Sequence, residues 1–237
     1  IVESVMSERM PPYFADPHIG KFQNNHALSA EQNKTLIHWI EAGAPRGAGP
    51  DTLALNKSKA PDWPVSLGKP DVVVTLPSFD VPASGTVAYQ NMRVDNPFKG
   101  DTWLKAIAIK PGERSVLHHV TSNHSPDRGT APAKIPGGSV GSYTPGAEPQ
   151  VIATGAGAPV PAGGKLSFSM HYTTTGKAAT DQTQIGYYTL KAPPEFIKRS
   201  TVISDFALKI PKGEARHKEI AYLEFPADAY IYTLYPH

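Results

Sequence analysis

The chain has 237 residues, 40% of them hydrophobic, which is enough for one large domain or two small ones with real cores. Its 23 basic and 21 acidic residues are scattered without blocks and leave a net charge of +2, so no electrostatic footprint for nucleic acid or an anionic membrane is present. The lack of any Cys excludes, within this stretch, disulfides, thiolate zinc sites, iron–sulfur clusters, a cysteine nucleophile and the C-x-x-C-H attachment of a c-type haem.

No apolar run approaches the length that spans a bilayer, and the residues after Ile1 lack a signal-peptide pattern, as expected of a mature or truncated chain. The first element in chain order is a helix. In "LSAEQNKTLIHWIEAGAP", Ser29 serves as N-cap with Gln32 three residues on, a capping box. Leu36, Ile37 and Ile40 then share one face, and Gly43 before Pro45 is the stop, so the helix is predicted over residues 30 to 42. "APRGAGPDTLALNKSKAPDWP" has no period and reads as a linker.

Beyond it the pattern turns β. The 24 Pro and 20 Gly spread through the chain cut it into the short pieces of an all-β protein with many turns. "DVVVTL" is a buried-strand run. "TWLKAIAIK" sends Trp103, Lys105, Ile107 and Ile109 to one side and Leu104, Ala106 and Ala108 to the other; "KPGER" then predicts an antiparallel hairpin with "SVLHHVT". Residues 125 to 161, rich in Gly, Pro, Ser and Ala, predict long loops with brief strands at most. "GGKLSFSMHYTTTGK" and "TQIGYYTL" are strands, and "KEIAYLEFPADAYIYTLYPH" predicts two strands around the turn "PAD". The fold class is therefore mainly β, with antiparallel sandwiches of jelly-roll type preceded by a small helical segment.

Three histidines stand out. In "KLSFSMHY", Leu166, Phe168, Met170 and Tyr172 project to one face and Lys165, Ser167, Ser169 and His171 to the other, which puts His171 on the polar face. A core histidine would share the face of Phe168. His118 and His119, adjacent in "RSVLHHVTSNH", point to opposite faces of a regular strand, so both reach one ion only if the strand ends or bulges there, or if the rings use different nitrogens. The ordinary alternative is three unrelated, hydrogen-bonded imidazoles. As a set, three neutral imidazoles without thiolate or carboxylate suit copper or zinc. His124, in a Ser-Asn-His-Ser-Pro-Asp context, is a rival ligand whose surroundings read as a polar turn. His18, His26 and His38 read as solvated or structural, and His217 as exposed.

"VLHHV", followed some fifty residues later by "LSFSMHYTTTGK", resembles the N-terminal copper domain of the copper type II, ascorbate-dependent monooxygenases, the family of peptidylglycine α-hydroxylating and dopamine β-monooxygenases. The resemblance implies that His118, His119 and His171 hold one copper, and that His237 in "LYPH" matches the first histidine of a second copper site whose other ligands do not occur in this sequence. "RMPPYFADPHIGKF" and "LSAEQNKTLIHWIEAGAPRG" resemble the end of the c-type cytochrome fused to bacterial members, which implies Met10 as axial haem ligand and attachment cysteines ahead of Ile1. By this likeness residues 1–50 are the C-terminal part of a cytochrome c-like domain, 51–70 a linker, 71–192 the first copper-binding sandwich and 193–237 the start of a second.

The implied activity is hydroxylation of a C–H bond with O2 and two electrons, the three-histidine copper passing electrons to the second one, with ascorbate or haem c as donor. The substrate would be a small or peptide-like molecule, a cytochrome an electron-donor partner, and the location periplasmic or secreted. Two other classes compete: a non-catalytic β-sandwich binding module, to whose surface Tyr222, Tyr230, Tyr232 and Tyr235 would contribute, and a haem/copper electron-transfer subunit.

Overall fold

The computed structural model describes residues 1–11, 13, 19–21, 25–51, 61–127, 135–147 and 149–234. His237 and His18 lie outside them. Two compact units result, Ile1–Lys59 and Ala60–His237.

The first unit holds the helices α1 (Val2–Met6) and α2 (Ala30–Glu41). The Ser29 hydroxyl accepts from the Gln32 backbone N–H at 3.1 Å, and the Gln32 side-chain oxygen accepts from the Ser29 N–H at 2.8 Å. Both arms of the capping box are thus closed. Gly43, at φ +86°, ends the helix in the left-handed region. Leu36, Ile37 and Ile40 share a half-buried face, and no residue of α2 is fully buried.

The second unit is mainly β, and the described chain as a whole is 30% strand and 8% helix. Its strands are β1 (Val72–Thr75), β2 (Phe79–Val81), β3 (Gln90–Asp95), β4 (Thr102–Lys110), β5 (Leu117–Ser125), β6 (Ser139–Tyr143), β7 (Gln150–Val151), β8 (Ala156–Val160), β9 (Lys165–Tyr172), β10 (Ala179–Asp181), β11 (Gln184–Thr189) and β12 (Phe196–Ile197). One sheet runs β1-β11-β4-β8-β12, with β7 also on β4; a second runs β3-β9-β5-β6; β10 and β2 form a small ribbon. All pairs are antiparallel except β12 with β8. One core joins the two larger sheets. Leu104, Ile107, Ile185 and Tyr187 come from the first, and Leu117, Val120, Leu166, Phe168, Met170 and Tyr172 from the second, all at 3% exposure or less. Burial of that apolar surface is what holds the sandwich together.

Three expectations need correction. The hairpin between β4 and β5 does not form. β4 is an interior strand whose edges are taken by β11 on one side and by β7 and β8 on the other, so the chain crosses through residues 111–116 to the opposite sheet, where β5 pairs β9 and β6. The faces of β4 also change part-way. Ala106 lies opposite Tyr188 and Leu104 opposite Thr189, leaving Lys105 as an extra residue. That bulge turns Leu104 into the core of Ile107, while Ala106 and Ala108 pack with Tyr188 on the other side. Finally, the strands expected around "PAD" are absent: beyond Ile197 the described residues contain no helix or strand, and Ile220, Tyr222, Tyr230, Tyr232 and Leu234 are exposed. A lone hairpin gains too little burial to stand by itself.

Candidate metal centre

β9 delivers His171 as its alternation requires. Leu166, Phe168, Met170 and Tyr172 are buried, and the intervening residues, His171 among them, face away from the core. β5 pairs with β9 so that Leu117 lies opposite Tyr172 and His119 opposite His171, with a register shift between Leu117 and His119. Two residues of β5 therefore span one step of β9, and His118 is the extra one. The bulge resolves the geometric difficulty of adjacent ligands: Leu117 and Val120 both enter the core although they are three apart, while both imidazoles are left on the outer face beside His171.

The three rings converge. Their centroids are 5.1 Å apart for His118 and His119, 5.1 Å for His118 and His171, and 4.8 Å for His119 and His171. One nitrogen from each lies within 4.8 Å of the others, the one such group of three among the described residues. The Nδ1 atoms of His118 and His119 face each other at 3.1 Å. The Nδ1 of His171 is buried and has no hydrogen-bond partner. Metal–imidazole bonds of about 2.0–2.1 Å place ligand nitrogens roughly 3–4 Å apart, so closing the widest pair takes about 1–2 Å in all, under about 1 Å for each ring. A cation between the rings satisfies the orphaned nitrogen of His171 and the facing nitrogens together; the residues fit a metal. His119 is 7% exposed and His118 is open to solvent, so the site lies at the surface of the sheet with one accessible side.

Tyr89 is a neighbour that sequence reasoning missed. It precedes β3, which pairs β9 with Gln90 opposite Met170, so Tyr89 arrives next to His171. Its ring lies flat on that of His171, with centroids 4.6 Å apart and planes 10° from parallel. Its hydroxyl is 3.2 Å from Nε2 of His119. The only signal in the sequence would have been the register between two strands 75 residues apart, which no local pattern encodes.

Behind the site, Asp181 ties its two carriers. Buried at 1% exposure, its carboxylate accepts from the Glu113 N–H at 2.8 Å in the crossing to β5, from the Tyr172 hydroxyl at 2.9 Å at the end of β9, and from the Thr183 hydroxyl at 2.7 Å. Burial, and then the Asp181 charge, push the ionisation of Tyr172 well above the usual phenol range. The Thr173 N–H donates to Val116 at 2.8 Å, a further tie between the same segments.

The remaining candidates lie elsewhere. His124 is not in a polar turn but in β5, buried at 8% exposure on the face opposite His119, its Nε2 2.9 Å from the Gly163 carbonyl and its Nδ1 without a partner. His217 is half-buried and pairs with Glu219 at 2.7 Å. Met10 belongs to the first unit and is 54% exposed. His26 makes an edge contact with Tyr13. No helix among the described residues is long and apolar enough to cross a membrane. No family model matches the chain, and no curated protein matches it.

Proposed function

We propose that His118, His119 and His171 hold a copper ion and that the chain is the electron-transfer copper domain of a copper-dependent monooxygenase that hydroxylates C–H bonds with O2. The observation that carries this reading is the bulge in β5, which places two adjacent imidazoles on one face against an unpartnered nitrogen of a third. Bound there, copper supplies one-electron chemistry between Cu(II) and Cu(I). Imidazole nitrogens serve both states, whereas a site lacking thiolate and carboxylate is a poor match for hard cations. The chain's own part is to hold the donors in place: β5 and β9 are paired along their length, and Asp181 braces the ends at which the histidines sit. On the same reading the protein is periplasmic or secreted, residues 71–192 are the first copper domain, Met10 serves a haem c and His237 a second copper.

Metal analysis and electron paramagnetic resonance of the copper-loaded protein test the site. One copper per chain is expected, with His119→Ala and His171→Ala each losing at least tenfold in affinity. Absence of stoichiometric copper, or copper undiminished in His119→Ala, would leave a β-sandwich binding module. Oxygen uptake coupled to substrate oxidation tests the activity; copper that cycles under reductant without such uptake would favour an electron-transfer subunit.

A further inference from the structure

We infer that Tyr89 is a positioning residue of the metal centre, selecting the nitrogen through which His119 binds and holding the plane of the His171 ring. The inference rests on the metal reading above and extends it to a residue outside the three donors.

Two contacts of Tyr89 and His119 lead to it. The Nδ1 of His119 faces that of His118 at 3.1 Å, so this is the nitrogen turned towards the shared site. The other nitrogen, Nε2, lies 3.2 Å from the Tyr89 hydroxyl. An imidazole that binds a cation through one nitrogen carries its proton on the other, and a fixed acceptor for that proton sets both tautomer and ring orientation. With Nδ1 on the ion, Nε2–H donates to the Tyr89 oxygen. The same phenol ring then lies 4.6 Å from the His171 ring and within 10° of parallel with it, limiting rotation of that imidazole about its own bond. Tyr89 is nonetheless 52% exposed and lies outside the core, so packing of the sandwich does not account for a ring placed against two donors at once.

An acceptor on Nε2–H makes the imidazole a stronger donor and favours the more highly charged metal state. Removing it should weaken Cu(II) more than Cu(I). In the full chain, Tyr89→Phe keeps the stack and loses the hydrogen bond, whereas Tyr89→Leu loses both. The measurements are Cu(II) and Cu(I) affinity by competition with chelators, the Cu(II) paramagnetic resonance spectrum, the midpoint potential, and the melting temperature of metal-free protein. Tyr89→Phe is expected to bind Cu(II) about tenfold more weakly, with Cu(I) affinity little changed. That difference corresponds to a potential higher by about 59 mV for a one-electron couple. Tyr89→Leu is expected to lose more affinity and to broaden the spectrum as the His171 ring is released. Metal-free melting should match wild type in both. A Tyr89→Phe protein with wild-type affinities, spectrum and potential overturns the inference. So does a drop in metal-free melting with the potential unmoved, which assigns Tyr89 to the fold alone. Wild type that takes up no stoichiometric copper overturns the metal reading, and this inference with it.

Discussion

Tyr187 is fully buried between the sheets, and its hydroxyl has no hydrogen-bond partner. A buried polar group left unpaired costs its desolvation without return. Tyr187→Phe is therefore expected to stabilise the protein by about 1 kcal/mol, read as a rise in the unfolding midpoint. The alkaline limb follows from the same burial. Desolvation raises the ionisation of Tyr187, and burial with the neighbouring Asp181 charge raises that of Tyr172, so both phenols stay neutral in the fold. In the unfolded chain they ionise near pH 10. A folded pKa above the unfolded one means that the contribution is intact below about pH 10 and is lost as pH rises beyond it. Denaturant midpoints measured between neutral and strongly alkaline pH should fall in that window, and less steeply in Tyr187→Phe. Asp181 is the opposite case, a buried carboxylate with three donors: Asp181→Ala, which strands the Glu113 N–H and the Tyr172 hydroxyl, should cost about 3 kcal/mol.

The elements that could be read in advance are those whose signal is local. The capping box from Ser29 to Gln32 and the period-two burial of β9 depend on neighbours a few residues away, and both formed as expected. His171 on an outward face was legible for the same reason. What was not legible depends on partners far along the chain. That β4 would have both edges occupied, and so could not fold back on β5, is decided by β11 and β8, which follow it by dozens of residues. The bulge at His118 was recognisable as a requirement but not as a fact, since only the pairing with β9 reveals the surplus residue. Tyr89 was invisible because its role arises from the register of β3. The crossing from β4 to β5 is also tightly packed. A Cβ on Gly112 would lie 2.5 Å from the Gln182 backbone nitrogen, a contact that only a backbone shift relieves. Gly112→Ala should therefore destabilise by about 1–3 kcal/mol and, by moving Glu113 off Asp181, loosen the donor set. Melting temperature and copper affinity would both report it.

Across the second unit, stability concentrates in one sandwich core, and the described residues beyond Ile197 contribute nothing to it. A chain ending at Arg199 should thus keep its cooperative unfolding transition and its three-histidine site, with a midpoint within a few degrees of the full chain. Loss of the transition would show that residues 200–234 brace the sheets after all. The register around the surplus residue of β5 has a broader consequence. Leu117 beside Tyr172 and His119 beside His171 are consecutive rungs of the ladder, and His118 is accommodated between them without displacing either. Deleting His118 would bring Leu117 and His119 next to each other in the chain, opposite the neighbouring residues Tyr172 and His171, and so is expected to leave a regular ladder. A chain shortened by that one codon should therefore still fold while retaining two of the three imidazoles, which separates the cost of the surplus residue from the stability of the wall that carries it.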